Sequence, residues 1–271
     1  MNKWIVTAVM VLAVPAASAK VLMSIDAGAG YNLTSLADDS TFIGGTFDLA
    51  GSQSASTAPY GLGMEAKNGF YGWAKISLPL LPDVKLKYEN LVLDGSNTLT
   101  FSESILGEEF ATSGTVDSSL DLTHVDLGLT IGLPIPVVDI DLGVNFRALL
   151  GGFSATGMIN GTEQTKEVLF PSATIIPMAY VSAAATIPGA GVKLGGELST
   201  LPMGDSNITD WNIKGTWFAP LPTNMLAKVG LEAGYRSFNI TMADKVAWLD
   251  TSDFQSDVTV GGFFVGAVMH F

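Results

Sequence analysis

The fold is decided by the last fourteen residues of the chain, Val258–Phe271, which read VTVGGFFVGAVMHF. Counted back from the end, every second residue is apolar: Phe271, Met269, Ala267, Val265 and Phe263. This period of two predicts a β-strand with one apolar face that ends on an aromatic residue. A chain seldom ends on an uncapped apolar strand, but the last strand of a closed barrel can do so because it pairs with the first.

This terminal pattern resembles the C-terminal strand of Gram-negative outer-membrane β-barrels. The resemblance implies that the outer-membrane assembly machinery is a partner of the chain. It also implies that the alternating apolar residues are the assembly signal, namely Phe263, Val265, Ala267, Met269 and Phe271.

The N-terminus predicts an export signal. A basic residue is followed by an apolar run over residues 5–14, a proline, and the small residues Ala17-Ser18-Ala19. The run is about half of the ~20 residues that a transmembrane helix needs. We therefore predict a signal peptide over residues 1–19, cleaved after Ala19, rather than a retained anchor or a buried helix. The mature chain, residues 20–271, is then a single domain.

Composition agrees with a membrane β-barrel. The chain is 48% hydrophobic and has 30 glycines, yet polar residues, Gly or Pro interrupt every apolar run after residue 19. Apolar residues spread over alternate positions are typical of a transmembrane barrel. The net charge of −13 argues against nucleic acid as a partner. The absence of cysteine excludes a lipoprotein anchor and disulfides.

Short and long connections alternate along the chain. Tight proline-rich turns are predicted at residues 78–83, 133–136, 187–191 and 219–224. Polar loops are predicted at residues 34–68, 95–118, 153–171, 201–210 and 239–257. Short turns at one end and long loops at the other are typical of an outer-membrane barrel, with the turns periplasmic and the loops extracellular.

With both termini on the turn side, this alternation predicts an all-β protein: a transmembrane, antiparallel, up-and-down β-barrel of ten strands. The predicted strands are 20–33, 69–78, 84–94, 119–132, 137–152, 172–186, 191–200, 211–219, 225–238 and 258–271. Twelve strands are the alternative, if 95–118 pairs with itself. We interpret the two β-like pieces of that stretch, 97–103 and 109–116, as extensions of the flanking strands above the membrane.

The fifth predicted strand shows which face lines the lumen. Its apolar residues alternate with Asp139, Asp141 and Arg147, and a charge on the lipid face costs about 2–4 kcal/mol near the midplane. The same rule, applied to every strand, predicts a lumen ion-pair network: Asp26, Lys75, Lys85, Lys87, Glu89, Asp126, Asp139, Asp141, Arg147, Lys193, Glu197, Lys214, Lys228, Glu232 and Arg236. Seven of these residues are acidic and eight are basic, so the predicted lumen is nearly neutral.

Aromatic residues near the strand ends are interpreted as interfacial girdles. The candidates on the loop side are Tyr31, Tyr71, Trp211 and Tyr235, and those on the turn side are Trp217 and Phe271.

Catalytic motifs are weak in this sequence. Ten strands is also the strand number of the omptin proteases, which use paired acidic residues with a His/Asp pair near the loop side. His270 lies at the turn side, whereas His124 and Asp126 both face the lumen and could form a dyad. We interpret His124 as a lumen histidine in a polar network. Ser118 and Ser119 lie nearby without a recognisable motif, so we expect no enzymatic activity and no cofactor.

Metal binding is suggested only by loop acids, and we predict no metal site. The candidates for Ca²⁺ are Asp38, Asp39, Glu108, Glu109, Asp244, Asp250, Asp253 and Asp257. They lack the spacing of an EF-hand, and clustered loop carboxylates are usually a solvated surface.

The whole mature chain resembles a family of outer-membrane β-barrels of similar length that has no assigned activity. The signal peptide, the proline-rich turns and Val258–Phe271 carry this resemblance, which implies a place in the bilayer beside lipopolysaccharide. We predict a monomeric structural protein or a narrow passive pore for small solutes. The alternative is a surface adhesin or receptor that acts through its long acidic loops.

Overall fold

The computed structural model describes residues 23–42, 47–51, 60–78, 81–99, 103–105, 108–110, 114–135, 138–170, 175–203, 206–221, 227–243, 245–246, 249–250 and 255–271. The predicted signal peptide and the cleavage site after Ala19 lie outside these residues. Every described element is a β-strand. Within the described ranges, no helix is long and apolar enough to cross a bilayer.

The strands are numbered in chain order. The first eleven are β1 (Ser24–Leu36), β2 (Thr41–Phe42), β3 (Phe47–Asp48), β4 (Tyr60–Gly61), β5 (Met64–Ala66), β6 (Gly69–Ser77), β7 (Asp83–Glu89), β8 (Val92–Leu99), β9 (Glu103–Ile105), β10 (Glu108–Phe110) and β11 (Gly114–Asp121). The others are β12 (His124–Ile135), β13 (Val138–Leu149), β14 (Gly152–Ile159), β15 (Thr162–Leu169), β16 (Ile175–Ile187), β17 (Val192–Met203), β18 (Ser206–Phe218), β19 (Lys228–Met242), β20 (Lys245–Val246), β21 (Leu249–Asp250) and β22 (Ser256–His270).

Ten of these strands form a closed antiparallel ring. Its order is β1-β6-β7-β12-β13-β16-β17-β18-β19-β22, and β22 returns to β1 in a ladder that runs from Asp26↔His270 to Leu36↔Val260. The ten-stranded barrel predicted from the sequence is confirmed. The twelve-stranded alternative is wrong, because β8 and β11 pair with each other outside the ring.

Paired strand extends into several of the predicted loops. The prediction of a loop at 153–171 is wrong, because β14 and β15 form a hairpin there. The ladder of β17 and β18 continues through Leu201↔Ile208 to Met203↔Ser206, so most of 201–210 is paired. The pairing of β19 with β22 likewise continues to Met242↔Ser256, inside the predicted loop 239–257. The loops were predicted from the polar composition of these stretches. Their apolar residues alternate and face inward, however, and this pattern stabilises paired strands.

A second sheet continues one side of the ring towards the loop side. Its order, β15-β14-β11-β8-β5, follows the order of the ring strands β16-β13-β12-β7-β6 to which these strands connect. We call it the upper sheet. Short breaks at 90–91, 122–123 and 150–151 separate it from the ring. The stretch 95–118 therefore extends the flanking strands through β8 and β11, while β9 and β10 form a separate hairpin.

The inward face changes character along the barrel. On the turn side it carries charged and polar side chains, but on the loop side the upper sheet packs against the inner face of β18, β19 and β22 through apolar residues. We call this packing the apolar core; its buried members include Phe42, Phe47, Leu93, Val116, Leu120, Phe153, Ala155, Ile208, Phe238, Ile240, Val258 and Val260. Phe42 and Phe153 pack with ring centroids 4.6 Å apart. Burial of this surface away from water is what holds the upper sheet on the ring.

The outward face of the ring is covered with exposed apolar side chains. They include Leu33, Phe70, Leu86, Leu127, Leu129, Ile131, Leu142, Val144, Leu194, Ile213 and Leu231. The alternating residues of the last strand belong to this face, since Phe263, Val265, Ala267, Met269 and Phe271 are all exposed.

The predicted girdle residues divide into two groups. Tyr31, Trp211, Trp217 and Phe271 are exposed, and Tyr235 lies between Trp211 and Phe263 with ring centroids 5.9 and 5.3 Å away. The prediction for Tyr71 is wrong: its side chain is buried in the lumen and donates a hydrogen bond to Glu232. Tyr71 lies four residues before Lys75 on β6, so both side chains point inward.

Candidate functional site: the charged lumen

Strand alternation aims the charged residues inward, and the predicted network is arranged in successive groups from the turn side to the loop side. The outermost group is solvated. Asp139 and Lys193 form an ion pair of 2.8 Å with side chains 66% and 38% exposed. His270 Nδ1 lies 2.7 Å from Asp26 Oδ1 across the closing pair of strands. Lys228 is exposed opposite His270 on the neighbouring strand.

The second group surrounds Lys75. Its ammonium lies 2.6 Å from Asp141 and 3.1 Å from Asp83. Ser182 donates a hydrogen bond to Asp141, and Ser77 donates one to Asp83. One cation therefore joins carboxylates from β7 and β13, each of which also has a hydroxyl donor.

The third group surrounds two carboxylates, Glu197 and Glu232. Lys85 pairs with Glu197 at 2.5 Å, and Lys214 lies between the carboxylates, 3.5 Å from Glu197 and 3.3 Å from Glu232. Tyr71 and Trp73 both donate hydrogen bonds to Glu232. The ammonium of Lys214 also lies 4.7 Å from the centre of the Trp73 ring, a cation–π distance.

The fourth and innermost group is built on Arg147. Its Nε and Nη2 donate to the two oxygens of Asp126, both at 2.7 Å, and Nη2 also donates to Asp210 at 2.5 Å. Arg236 binds Asp210 through Nε and Nη2, and it pairs with Glu89. Fork-shaped guanidinium–carboxylate pairs of this kind are strong because both bonds are charge-assisted.

The same innermost group meets the apolar core. Lys87 lies 2.8 Å from Glu89, and Asn32 donates a hydrogen bond to the same carboxylate. The guanidinium carbons of Arg147 and Arg236 lie 5.1 and 5.8 Å from the centre of the Phe238 ring. Phe238 is thus the boundary at which the charged lumen gives way to the apolar core.

His124 is part of this boundary. It is completely buried, its Nδ1 lies 2.8 Å from the carbonyl oxygen of Leu122, and its ring stacks on Phe238. Nε2 lies 3.4 Å from Arg236. A dyad with Asp126 would compete with the two bonds that Arg147 makes to that carboxylate, so this geometry fits the interpretation of His124 as a lumen histidine.

One group within the described part of the chain could present three ligand atoms to a metal ion. The ligand atoms of His124, Asp126 and Asp210 all lie within 4.8 Å of one another. Both carboxylates are already bound by guanidinium groups, and a metal ion would be repelled by the positive charges of Arg147 and Arg236. The arrangement is therefore an ion-pair cluster rather than a cation site.

The proposed Ca²⁺ ligands are only partly described. Asp38 and Asp39 are exposed after β1, and Asp257 accepts hydrogen bonds from Asn239 and Thr241. The side chains of Glu108, Glu109 and Asp250, and the whole of Asp244 and Asp253, lie outside what the structure describes.

Side-chain exposure is greatest in the outermost, turn-side group of the lumen. The exposed fraction of the ion-paired side chains drops from 66% at Asp139 to 14% at Asp141 and 1% at Arg147. Beside Lys85 and Asp210 a small cavity has room for roughly one or two water molecules. The lumen is thus a vestibule that opens on the turn side and ends blindly at the apolar core.

Several lumen residues were not predicted from the sequence, although strand alternation identifies them. Trp73 lies two residues before Lys75 on the inward face of β6. Asp83 lies two residues before Lys85, and Asp210 lies four residues before Lys214, so both share the inward face of residues already placed in the lumen. Tyr71 lies four residues before Lys75 and shares its inward face. Asp210 was missed because it fell in a predicted loop, and Asp83 because it fell in a predicted turn.

The chain is therefore a closed ten-stranded antiparallel β-barrel with a charged lumen that is capped on one side. No protein-family model and no curated protein matches its sequence. Among solved structures it is similar to the outer membrane protease OmpT from Escherichia coli, with 12% identity, a TM-score of 0.45, and coverage of 92% of this chain and 96% of that one.

Two further solved structures show weaker similarity. One is the COG4313 outer membrane channel from Pseudomonas putida F1, with 9% identity, a TM-score of 0.35, and coverage of 90% and 95%. The other is a Pseudomonas aeruginosa FadL homologue, with 8% identity, a TM-score of 0.28, and coverage of 92% and 89%. At these identities and TM-scores, none of the three bears on what this chain binds or does.

Proposed function

We propose that this protein is an integral outer-membrane β-barrel whose lumen is sealed, and that it serves as a structural membrane protein rather than as a pore. The apolar core on the loop side carries this proposal. An ion that crossed the barrel would have to leave the polar vestibule and pass between the side chains of Phe42, Phe153 and Phe238, which are at most 1% exposed. Transfer of a bare charge into such surroundings is strongly unfavourable.

The place in the membrane rests on the outward face. A continuous cover of exposed Leu, Ile, Val and Phe side chains around a closed ring is stable in lipid and unfavourable in water. Tyr31, Trp211 and Tyr235 supply the amphipathic rings expected at the headgroup level on the loop side. In this proposal the chain is a monomer, its turns are periplasmic, and lipopolysaccharide surrounds its loop side.

Single-channel recording tests the sealed lumen. The refolded mature chain in a planar bilayer is expected to give no discrete conductance steps, and heat-modifiable migration on a gel serves as proof of folding. The Arg147→Ala variant should stay silent too, because the apolar core lies beyond Arg147. Reproducible conductance steps from folded wild-type protein would refute the sealed lumen and favour a narrow pore instead.

The proposal includes the absence of catalysis. Its support is that His124, which lies beside the lumen acids, is fully buried and held by a main-chain carbonyl. A peptide library incubated with the folded protein in detergent and lipopolysaccharide should remain intact, as judged by mass spectrometry. Cleavage that persists in the wild-type protein and disappears in His124→Asn would overturn this part of the proposal.

A role in surface attachment is the second candidate, and β15 is the observation that favours it. This eight-residue strand pairs only with β14 among the described strands, and most of its side chains are exposed. A free edge of this kind can accept a strand from a partner. Thr165→Pro would block such pairing, so adhesion of cells that display the chain should fall in this variant. Unchanged adhesion would exclude the edge as the contact.

A further inference from the structure

Two aromatic side chains of β6 reach across two strands to bind the same carboxylate. Tyr71 Oη and Trp73 Nε1 both donate hydrogen bonds to Oε1 of Glu232, at 2.8 and 3.0 Å. Glu232 lies on β19, and the strands between β6 and β19 in the ring are β1 and β22. These are the first and last strands, so both side chains span the seam at which the barrel closes.

Glycines make room for these side chains. A Cβ atom on Gly28 would lie 2.6 Å from Trp73 Nε1, and one on Gly30 would lie 2.8 Å from the Tyr71 hydroxyl. A Cβ atom on Gly266 of β22 would also meet that hydroxyl. All three glycines belong to the inward face of the seam strands, where a larger residue would push the aromatic rings away from Glu232.

The carboxylate of Glu232, which accepts both hydrogen bonds, is also held in place. Glu232 is 1% exposed, and its second oxygen lies 3.3 Å from the ammonium of Lys214. Phe264 of β22 packs edge-on against Tyr71 with ring centroids 5.6 Å apart. The carboxylate is therefore buried beside a cation and held in one orientation by its contacts with Tyr71, Trp73 and Lys214.

We propose that Tyr71, Trp73 and Glu232 form a strap that holds the first and last strands in register from inside the lumen. Register is weakly specified between strands rich in glycine, and the inward pairs of the seam include Gly28↔Val268, Gly30↔Gly266 and Thr34↔Gly262. A slip of two residues between β1 and β22 would move Glu232 by roughly 7 Å relative to β6. Both hydrogen bonds would then break, so the strap opposes the slip. The three residues are positioning residues, and their role does not depend on whether the lumen conducts.

Amide hydrogen exchange on the full mature chain, refolded in detergent, tests the strap. The pair Val181↔Leu198 on β16 and β17 serves as an internal reference far from the seam. In the double variant Tyr71→Phe with Trp73→Phe, exchange of seam amides such as that of Ala29 should rise about fivefold to tenfold relative to the reference, as expected for two lost hydrogen bonds. Equal acceleration at both places, or none at either, would overturn the proposal.

Glycine variants separate the strap from general loss of stability. Gly28→Ala should also accelerate seam exchange, because its Cβ would meet only Trp73 side-chain atoms among its three nearest contacts. Gly128→Ala is the matched control on the inward face of β12, where the nearest atom is Lys85 Cβ at 3.4 Å. It should leave the ratio of seam to reference exchange unchanged. If the double variant does not refold, Tyr71→Phe alone, which removes one oxygen, should show the same selective effect in smaller measure.

Register itself can be read by cross-linking, since the chain has no cysteine of its own. Ala27→Cys with Met269→Cys joins native partners across the seam, whereas Ala29→Cys with Met269→Cys joins residues that meet only after a slip of two. In a chain that keeps Tyr71 and Trp73, only the native cysteine pair should cross-link under oxidation. The strap variant should also cross-link the slipped pair, and failure to detect that product would refute a role in register.

Discussion

Arg147 is the residue on which the charged lumen depends most. It is 1% exposed and satisfies two buried carboxylates, Asp126 and Asp210. Arg147→Ala would leave both carboxylates in a poorly solvated site without this cation, so the free energy of unfolding should fall by about 3–5 kcal/mol. Urea unfolding in lipid vesicles, followed by tryptophan fluorescence, measures this loss.

Lys193 provides the control for this prediction. It also forms an ion pair, with Asp139, but the pair is exposed at the turn side. Lys193→Ala should change the free energy of unfolding by about 0–1 kcal/mol, because water replaces the lost partner. Similar losses in the two variants would show that burial does not determine the strength of these pairs.

Individual lumen residues could be predicted from the sequence because a charge on the lipid face is so unfavourable. The same alternation identifies Asp83, Tyr71 and Asp210 once it is continued from neighbouring lumen residues. The partners could not be predicted. Lys75 binds Asp141 and Tyr71 binds Glu232, each across two intervening strands. Such contacts depend on the tilt and stagger of the strands, which a single sequence does not specify.

The last strand, β22, combines two properties that can be tested separately. The side chain of Phe271, the residue that follows β22, is 53% exposed on the outward face, while its main chain exchanges two hydrogen bonds with Ile25. Phe271→Glu should therefore impair assembly in cells, because the apolar terminal residue is lost, yet permit refolding of purified protein into vesicles, because the ladder is kept. Heat-modifiable migration measures folding in both settings.

Phe271→Tyr is the conservative control and should assemble normally. A Phe271→Glu protein that appears in the outer membrane at the wild-type level would argue against a terminal assembly signal. Failure of the variant in cells and in vesicles alike would instead mean that Phe271 is needed for folding itself.

Strands were easier to predict than loops because lipid imposes a period of two on each membrane-facing segment. Above the membrane that constraint ends, and a polar composition no longer separates loop from strand. The stretch 201–210 shows the difficulty. It was predicted as a loop from its polar residues, but Ile208 and Asp210 both face inward and the ladder continues through them.

The apolar core is a property of the whole molecule that no segment reveals. Its members include residues of the upper sheet, of β2 and β3, and of the ring strands β13, β16, β18, β19 and β22. Each of these strands contributes only a few apolar residues to the core. These residues come together only when the ring closes. The sequence therefore predicted the charged lumen but not the apolar core at which the lumen ends.

A blind lumen predicts that reagents reach its two ends from different sides of the membrane. Single cysteines can report this in a chain that has none. Asp139→Cys lies at the exposed turn-side end of the lumen, Thr162→Cys lies at the exposed start of β15, and Ala155→Cys lies in the apolar core with no exposed surface. With an impermeant thiol reagent on intact cells, only Thr162→Cys should react.

Permeabilisation of the outer membrane completes the test. Asp139→Cys should then react, whereas Ala155→Cys should react only after unfolding, because burial in the apolar core excludes water and reagent. Labelling of Asp139→Cys in intact cells together with Thr162→Cys would mean that the lumen is open through the core. Labelling of Asp139→Cys in intact cells without Thr162→Cys would mean that the barrel is sealed but inserted with its turns outside, since each cysteine then reports the opposite side of the same barrier.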